Sequence, residues 1–168
     1  MRVAVTGTPG TGKTTATASL STGLDVVHLN DVIKSEELTT GRDDDRDTLV
    51  ADVDAVAEWL DGRDDVLFES HLAHLFDADR VVVLRAHPET IEERLAERGE
   101  PDSSVAENAE SEALDLILSE AVDRHGENSV YEVDTTDKTP SAVADAVDSV
   151  VRGDRDPSAG DVSFVDYL

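Results

Sequence analysis

The sequence predicts an α/β domain, a three-layer sandwich around a five-stranded parallel sheet. Three observations predict it. Short apolar runs alternate with segments of helical periodicity. The runs are near-continuous in Val, Leu and Ile-type residues, as in strands buried on both faces. The first run ends in GTPGTGKT, a glycine-rich loop that opens a helix. With 168 residues the chain suits one domain with its own core.

Arg2–Thr6 (RVAVT) is the first strand, followed by the Gly/Pro turn and a helix of Ala, Thr, Ser and Leu. Residues 25–29 (DVVHL) form the second strand, and Asn30 or Asp31 is placed to cap a helix running to about Leu38. Residues 39–46 read as a polar loop. Between residues 49 and 60, Val50, Val53, Val56, Ala57 and Leu60 recur at helical spacing. Val66–Glu69 is the third strand and Arg80–Arg85 the fourth. Pro88 suits the first turn of a helix that ends near Arg98, and residues 99–103 break it. The next helix carries Val105, Ala109, Ala113, Ile117 and Ala121 on one face, with Leu114, Leu118 and Val122 beside them. Residues 130–133 form the fifth strand, and Ser141 is placed to cap a last helix bearing Val143, Ala144, Val147, Val150 and Val151. A body of residues 1–151 and a tail of residues 152–168 are expected, the tail loose to about residue 161 and apolar at its end.

Composition narrows the function classes. There are 39 Asp and Glu against 14 Lys and Arg, a formal net charge of −25, and the only lysines are Lys13, Lys34 and Lys138. Because the acids are scattered among ordered apolar blocks, they read as the surface of a folded domain rather than as a disordered chain. Such a surface suits concentrated salt, where the Debye length falls to about 3 Å near 1 M. It argues against direct binding of nucleic acid. Cysteine is absent, which removes disulfides and thiolate zinc sites. Neither a signal peptide nor a membrane span is recognised, and a cytoplasmic location is expected.

GTPGTGKT at residues 7–14 matches G-x-x-x-x-G-K-[ST] in full, in its strand–loop–helix context. A chance match arises in roughly one chain in a couple of hundred of this length. Gly7, Gly10 and Gly12 let the backbone close around an anion, and the helix N-terminus points its N–H groups at phosphates. Lys13 then bridges the β and γ phosphates, and the Thr14 hydroxyl ligates Mg²⁺. The alternative, a glycine turn with a solvent lysine, fits poorly in a chain that otherwise avoids lysine. A nucleoside triphosphate, ATP or GTP, is the expected ligand. A GTPase should carry Asn-Lys-x-Asp, and the closest string, TTDKT at residues 135–139, lacks the Asn and the second Asp. The chain is short for a transporter ATPase or a helicase. A small nucleotide or metabolite kinase remains, with residues 39–48 and 99–103 as segments that close over the substrates.

GTPGTGKTT, LNDVIKSEEL, VLFESH, RVVVLR and LAERGEPDSSVAENAESEAL together resemble the atypical adenylate kinase isoenzyme six family of archaea and eukaryotic nuclei, over residues 1 to about 150. The resemblance implies an NMP kinase-like P-loop fold and the reaction ATP + AMP ⇌ 2 ADP with Mg²⁺. It also implies ATPase activity and a role in small-ribosomal-subunit maturation, for which a basic small-subunit ribosomal protein is a candidate partner. It implies nucleotide contacts at Gly10, Gly12, Lys13, Thr14 and Thr15, a lid arginine at Arg98, an acceptor segment of about residues 30–52 and a lid of about residues 99–109. Two positions depart from the family pattern. Glu69 stands where an aspartate is usual, and Arg98-Gly99-Glu100 replaces Arg-Gly-Tyr.

Each candidate has a plainer reading beside the functional one. Glu69 either holds a water on Mg²⁺ or orients the attacking group, or is a solvated carboxylate at a strand end. His71 bonds Glu69, holds the phosphate loop or positions a hydrolytic water, or is structural. His74 follows three residues on, but no three ligands assemble at zinc spacing. Arg98 is the expected transition-state cation and Arg94 the second candidate, against surface arginines paired with acids. Arg85 is expected to face the same cleft. Asp31 and Lys34 are placed to reach the acceptor, although Asp31 also reads as a simple cap, and Asn108 and Glu112 to face the cleft from the helix after the lid. The competing functions are an ATP-driven assembly factor whose kinase activity is incidental, and a kinase for another small acceptor.

Overall fold

The computed structural model describes residues 1–45 and 48–168. In chain order the elements are β1 (Arg2–Thr6), α1 (Lys13–Thr17), β2 (Asp25–His28), α2 (Leu29–Ser35), β3 (Thr39–Asp43), β4 (Thr48–Ala51), α3 (Val53–Leu60) and β5 (Val66–Glu69). Then come β6 (Arg80–Arg85), α4 (Pro88–Glu97), α5 (Asp102–Ala113), α6 (Leu116–His125), β7 (Val130–Asp134) and α7 (Pro140–Arg152). The main sheet has the order β2-β5-β1-β6-β7, and every pair in it is parallel.

Alternation along the strands explains why both faces are covered. Ala4, Phe68, Val81 and Val83 meet Leu29 and Ile33 of α2, Val56 and Leu60 of α3, and Leu118 and Ala121 of α6. Val3, Val5, Leu67, Val82 and Leu84 point the other way, against Ala16 of α1 and Val143, Val147 and Val150 of α7. A fully buried valine or leucine contributes about 1.5–3 kcal/mol relative to an exposed one, so these two layers drive the fold. Ala86, Ile91, Leu95 and Val105 join α4 to α5 in a smaller cluster. No helix of the described residues is long and apolar enough to cross a membrane.

Five local expectations are corrected. The chain passes from β2 straight into α2: His28 is the N-cap, without a side-chain cap bond, and Asp31 lies inside the first turn, where its charge suits the helix dipole. The expected loop at 39–46 begins as β3, paired antiparallel with β4; its portion at residue 46 lies outside the described residues, as do 46 and 47 of the acceptor segment. Residues 49–51 are therefore strand, not helix. Leu49 and Val50 are exposed and offer no buried helical face, and Asp52 starts α3 by accepting from the Ala55 N–H at 3.1 Å. The long helix expected across residues 105–122 is two helices, broken at Asp115 in a left-handed conformation (φ 55°). The last helix is capped by Thr139, not Ser141, because Pro140 takes its first position.

The tail is held rather than loose. Ser158 N–H donates to Val130 O at 3.0 Å, Arg155 reaches Glu132 O at 3.1 Å, and Val162 N–H donates to Glu132 Oε2 at 3.0 Å. Tyr167 then donates to Glu92 on α4 at 2.5 Å.

Candidate active site

Because the sheet is parallel, all five strands deliver their carboxyl ends to one edge. From β1 the chain builds β2 and β5 on one side, then crosses to β6 and β7 on the other. A crevice at the end of β1 follows from that reversal. The glycine-rich loop occupies it. A Cβ on Gly7 would come within 2.6 Å of Leu84 O and 2.7 Å of Thr11 Oγ1, so only glycine fits beside β6. Gly12, at φ 90°, is the left-handed N-cap of α1.

The loop is closed by its own hydrogen bonds. Thr8 O accepts from Thr11 N (3.2 Å), Thr11 Oγ1 (2.8 Å) and Lys13 Nζ (3.1 Å), and Gly7 O accepts from Lys13 Nζ at 2.8 Å. Burial brings the Lys13 ammonium down to about 8, with Glu69 pulling in the opposite direction. Thr14 and Thr15, in the first turn of α1, are exposed.

Glu69 ends β5 and is 3% exposed. Its Oε1 accepts from Thr14 Oγ1 at 3.3 Å and from His28 Nδ1 at 2.8 Å. Glu69 is thus a held carboxylate and not a solvated one. A hydroxyl and a carboxylate are the hard oxygen donors that Mg²⁺ takes, so the residues present fit that ion. His71 does not bond Glu69; His28 occupies that place. His71 is half-buried, and burial, then the Lys13 charge, push its imidazole down to about 4, so it is neutral at pH 7. His74 is a structural pin. Its Nε2 donates to Glu120 and its Nδ1 accepts from Thr6, each at 2.8 Å, tying α6 to β1.

The arginines divide. Arg94 donates to Gly10 O at 3.0 Å and to Thr135 O at 3.2 Å, bracing the phosphate loop against the turn after β7. Arg98, the exposed C-cap of α4, overhangs a cleft of about 200 Å³ that Thr15, Lys138, Pro140 and Val143 also line. One wall of this cleft is apolar and three cations, Arg94, Arg98 and Lys138, border it, which suits a base with a phosphate chain leading to the loop. Arg85 does not face the cleft. It is 1% exposed and bonded to Glu112, Asp115 and Glu132, with the Phe164 ring 5.4 Å away. Burial opposes its charge, but the three carboxylates more than offset this and its pKa is raised. Glu112 is likewise buried, and Asn108 spends its amide on Ser104 O in its own helix. Asp31 and Lys34 are exposed on α2, directly after His28.

Sequence reasoning missed His28, Thr135, Lys138 and the contact between Thr8 and Glu112. His28 was legible only through register, since β2 pairs His28 with Glu69. A larger hollow of about 450 Å³ lies beside Arg2, Glu58 and Asp61 at the opposite end of the sheet. Its cation, Arg2, is spent on the carbonyls of Leu60, Arg63 and Asp77, leaving nothing to hold a phosphate.

Residues 3–115 match the model of the AAA domain family. A protein of Natronomonas pharaonis named "Putative adenylate kinase" is 62% identical over 168 residues, all of both chains. One of the same name from Halobacterium salinarum is 60% identical, again over all of both chains. Another from Methanothermobacter thermautotrophicus is 41% identical, over 99% of this chain and 98% of its own. A solved shikimate kinase from Acinetobacter baumannii, in complex with shikimate, superposes with a TM-score of 0.63 over 92% of this chain and 94% of that one. At 14% identity that likeness speaks to the fold alone.

Proposed function

For a chain that belongs to the AAA-domain family, among archaeal proteins that carry the adenylate kinase name, we propose the reaction ATP + AMP ⇌ 2 ADP, with Mg²⁺ and slow ATP hydrolysis beside it. The observation that carries this reading is the carboxyl edge of the sheet. There a closed phosphate loop with Lys13, a Thr14–Glu69 pair and the cleft under Arg98 adjoin one another.

Lys13 and the loop N–H groups hold the β and γ phosphates of ATP, with Gly10, Gly12, Thr14 and Thr15 around them. The base lies in the cleft between Arg98 and Pro140. Thr14 would ligate Mg²⁺, with Glu69 holding a water in its outer shell, and the ion would offset negative charge on the phosphates. Arg98, at the start of the lid of residues 99–109, moves onto the transferring group as the lid closes and excludes water. Arg94 keeps the loop in place without leaving it. AMP enters from the side of β2 and α2, where Asp31 and Lys34 reach its ribose and phosphate. His71, neutral and beside Lys13, accepts a hydrogen bond from water and so serves hydrolysis rather than transfer.

The resemblance further supports a place in small-ribosomal-subunit maturation. A net charge of −25 complements a basic ribosomal protein, which ATP turnover would release. The same charge supports work in concentrated salt.

A coupled assay of the purified protein in concentrated KCl, with and without AMP, tests the reaction. ADP formation that depends on AMP is expected. ATP consumption that ignores AMP would sink the transfer reading and favour the assembly ATPase. Capture of a small-subunit protein with and without ATP tests the partner, and a yield indifferent to ATP counts against it.

A further inference from the structure

The buried carboxylate of Glu112 has no part in the reaction described above, yet it touches the phosphate loop. It is 3% exposed, near the C-terminal end of α5, whose first turns belong to the lid. Its Oε1 accepts from Arg85 Nε at 2.8 Å and Ala86 N–H at 3.1 Å, and its Oε2 accepts from Thr8 Oγ1 at 2.6 Å. The last bond spans 104 residues. Thr8 is itself 2% exposed, and its carbonyl is the oxygen on which both Thr11 and Lys13 close the loop. Thr8, one of the two residues whose carbonyls hold the lysine, is therefore itself seated by α5.

The carboxylate cannot drift. Arg85 is gripped on its other edges by Glu132 at 2.6 Å and Asp115 at 2.5 Å, and it also donates to Glu112 O at 3.2 Å. A charge-assisted bond between buried partners is short and directional, unlike a threonine hydroxyl left to find solvent. We propose that Glu112 is a positioning residue for nucleotide binding: through Thr8 it fixes one of the two carbonyls that hold Lys13, and it makes the phosphate loop and the C-terminal end of α5 one rigid body. Lid movement is then confined to the residues before that anchor, from Gly99 to the first turns of α5. The inference rests on the reading that this loop binds ATP.

Thr8→Val keeps the shape of the side chain and removes the one bond; Thr8→Ser restores a hydroxyl. Arg80→Met removes two bonds from the start of β6 to the end of α7, touching neither Thr8 nor the Arg85 cage, and controls for stability alone. Each variant is titrated with ATP by calorimetry, without Mg²⁺, at a temperature well below its own melting point. Thr8→Val should bind ATP about tenfold more weakly, with Thr8→Ser and Arg80→Met within about twofold of the wild type. Wild-type affinity in Thr8→Val overturns the inference. So does equal weakening in Thr8→Val and Arg80→Met, which would trace the loss to stability alone. A wild-type chain that binds no ATP would instead refute the phosphate-loop reading itself.

Discussion

Replacing Arg85 with methionine removes one cation from a space that three carboxylates share. The Arg85 side chain is 1% exposed, and the side chains of Glu132 and Glu112 are 0% and 4% exposed, so water does little to screen them; of the three carboxylates only that of Asp115, at 32%, has a route to solvent. Methionine has about the right length to fill the volume, so the cavity cost is small and electrostatics dominates. Breaking a buried ion cluster by removing one partner costs about 3–5 kcal/mol. For a chain of this size each kcal/mol moves Tm by about 2–4 °C, so a fall of about 6–20 °C is expected. The sign of the pH dependence follows from linkage. Without the cation, the crowded carboxylates of the folded state hold a proton that the unfolded chain has released. The folded state then binds more protons, and the variant loses stability as pH rises. Thermal unfolding followed by circular dichroism in concentrated KCl, at about pH 5 and about pH 7.5, gives both numbers. A variant melting within about 2 °C of wild type at the higher pH would refute the cluster's stabilising role. A gap between variant and wild type that stays constant with pH would refute its electrostatic origin.

Because Lys13 titrates near 8, ATP affinity should weaken as pH rises past that value and the ammonium is lost; binding titrations between about pH 7 and about pH 9.5 check this, and a flat profile counts against Lys13 as the phosphate ligand. Lys13→Ala should abolish both ATP binding and turnover, and unchanged turnover would remove the loop from the mechanism. His71→Asn should reduce ATP hydrolysis more than AMP phosphorylation, with equal loss returning His71 to a structural role. Since its folded pKa lies below the ordinary 6.5, its contribution to stability is present above about 6.5 and is lost as pH falls toward about 4. Phe164→Ala, which strips the ring from Arg85 and from His87 at 5.4 Å, should cost about 1–2 kcal/mol in denaturant unfolding. Dilution from concentrated to low KCl should lower Tm, as repulsion within a net charge of −25 is unmasked; a salt-independent Tm would refute that account.

The parallel sheet was legible because its signal is one-dimensional. A strand covered on both faces must be apolar throughout, and RVAVT, VLFE and RVVVLR are. The phosphate loop was legible for a related reason, since glycine spacing and a lysine at a helix start are local requirements. The hairpin of β3 and β4 was not, because TTGRD and TLVA carry little apolar pattern and owe their pairing to each other. The break at Asp115 was hidden too. Its left-handed backbone is accompanied by a bond to Arg85, thirty residues earlier.

Charges show the division most clearly. Sequence alone determined that this chain is an α/β domain with a triphosphate loop, because helix period, strand period and loop chemistry are each set by neighbours along the chain. It could not say which of its many carboxylates meet a cation. Arg85 looked like a cleft residue and is the centre of a buried cage; a bond to Glu69 was one of the readings of His71, and His28 holds that place. Such pairings depend on strand order and on which strand ends share an edge. Only the packing of β2 beside β5, and of α5 over the end of β6, brings those groups within hydrogen-bonding distance.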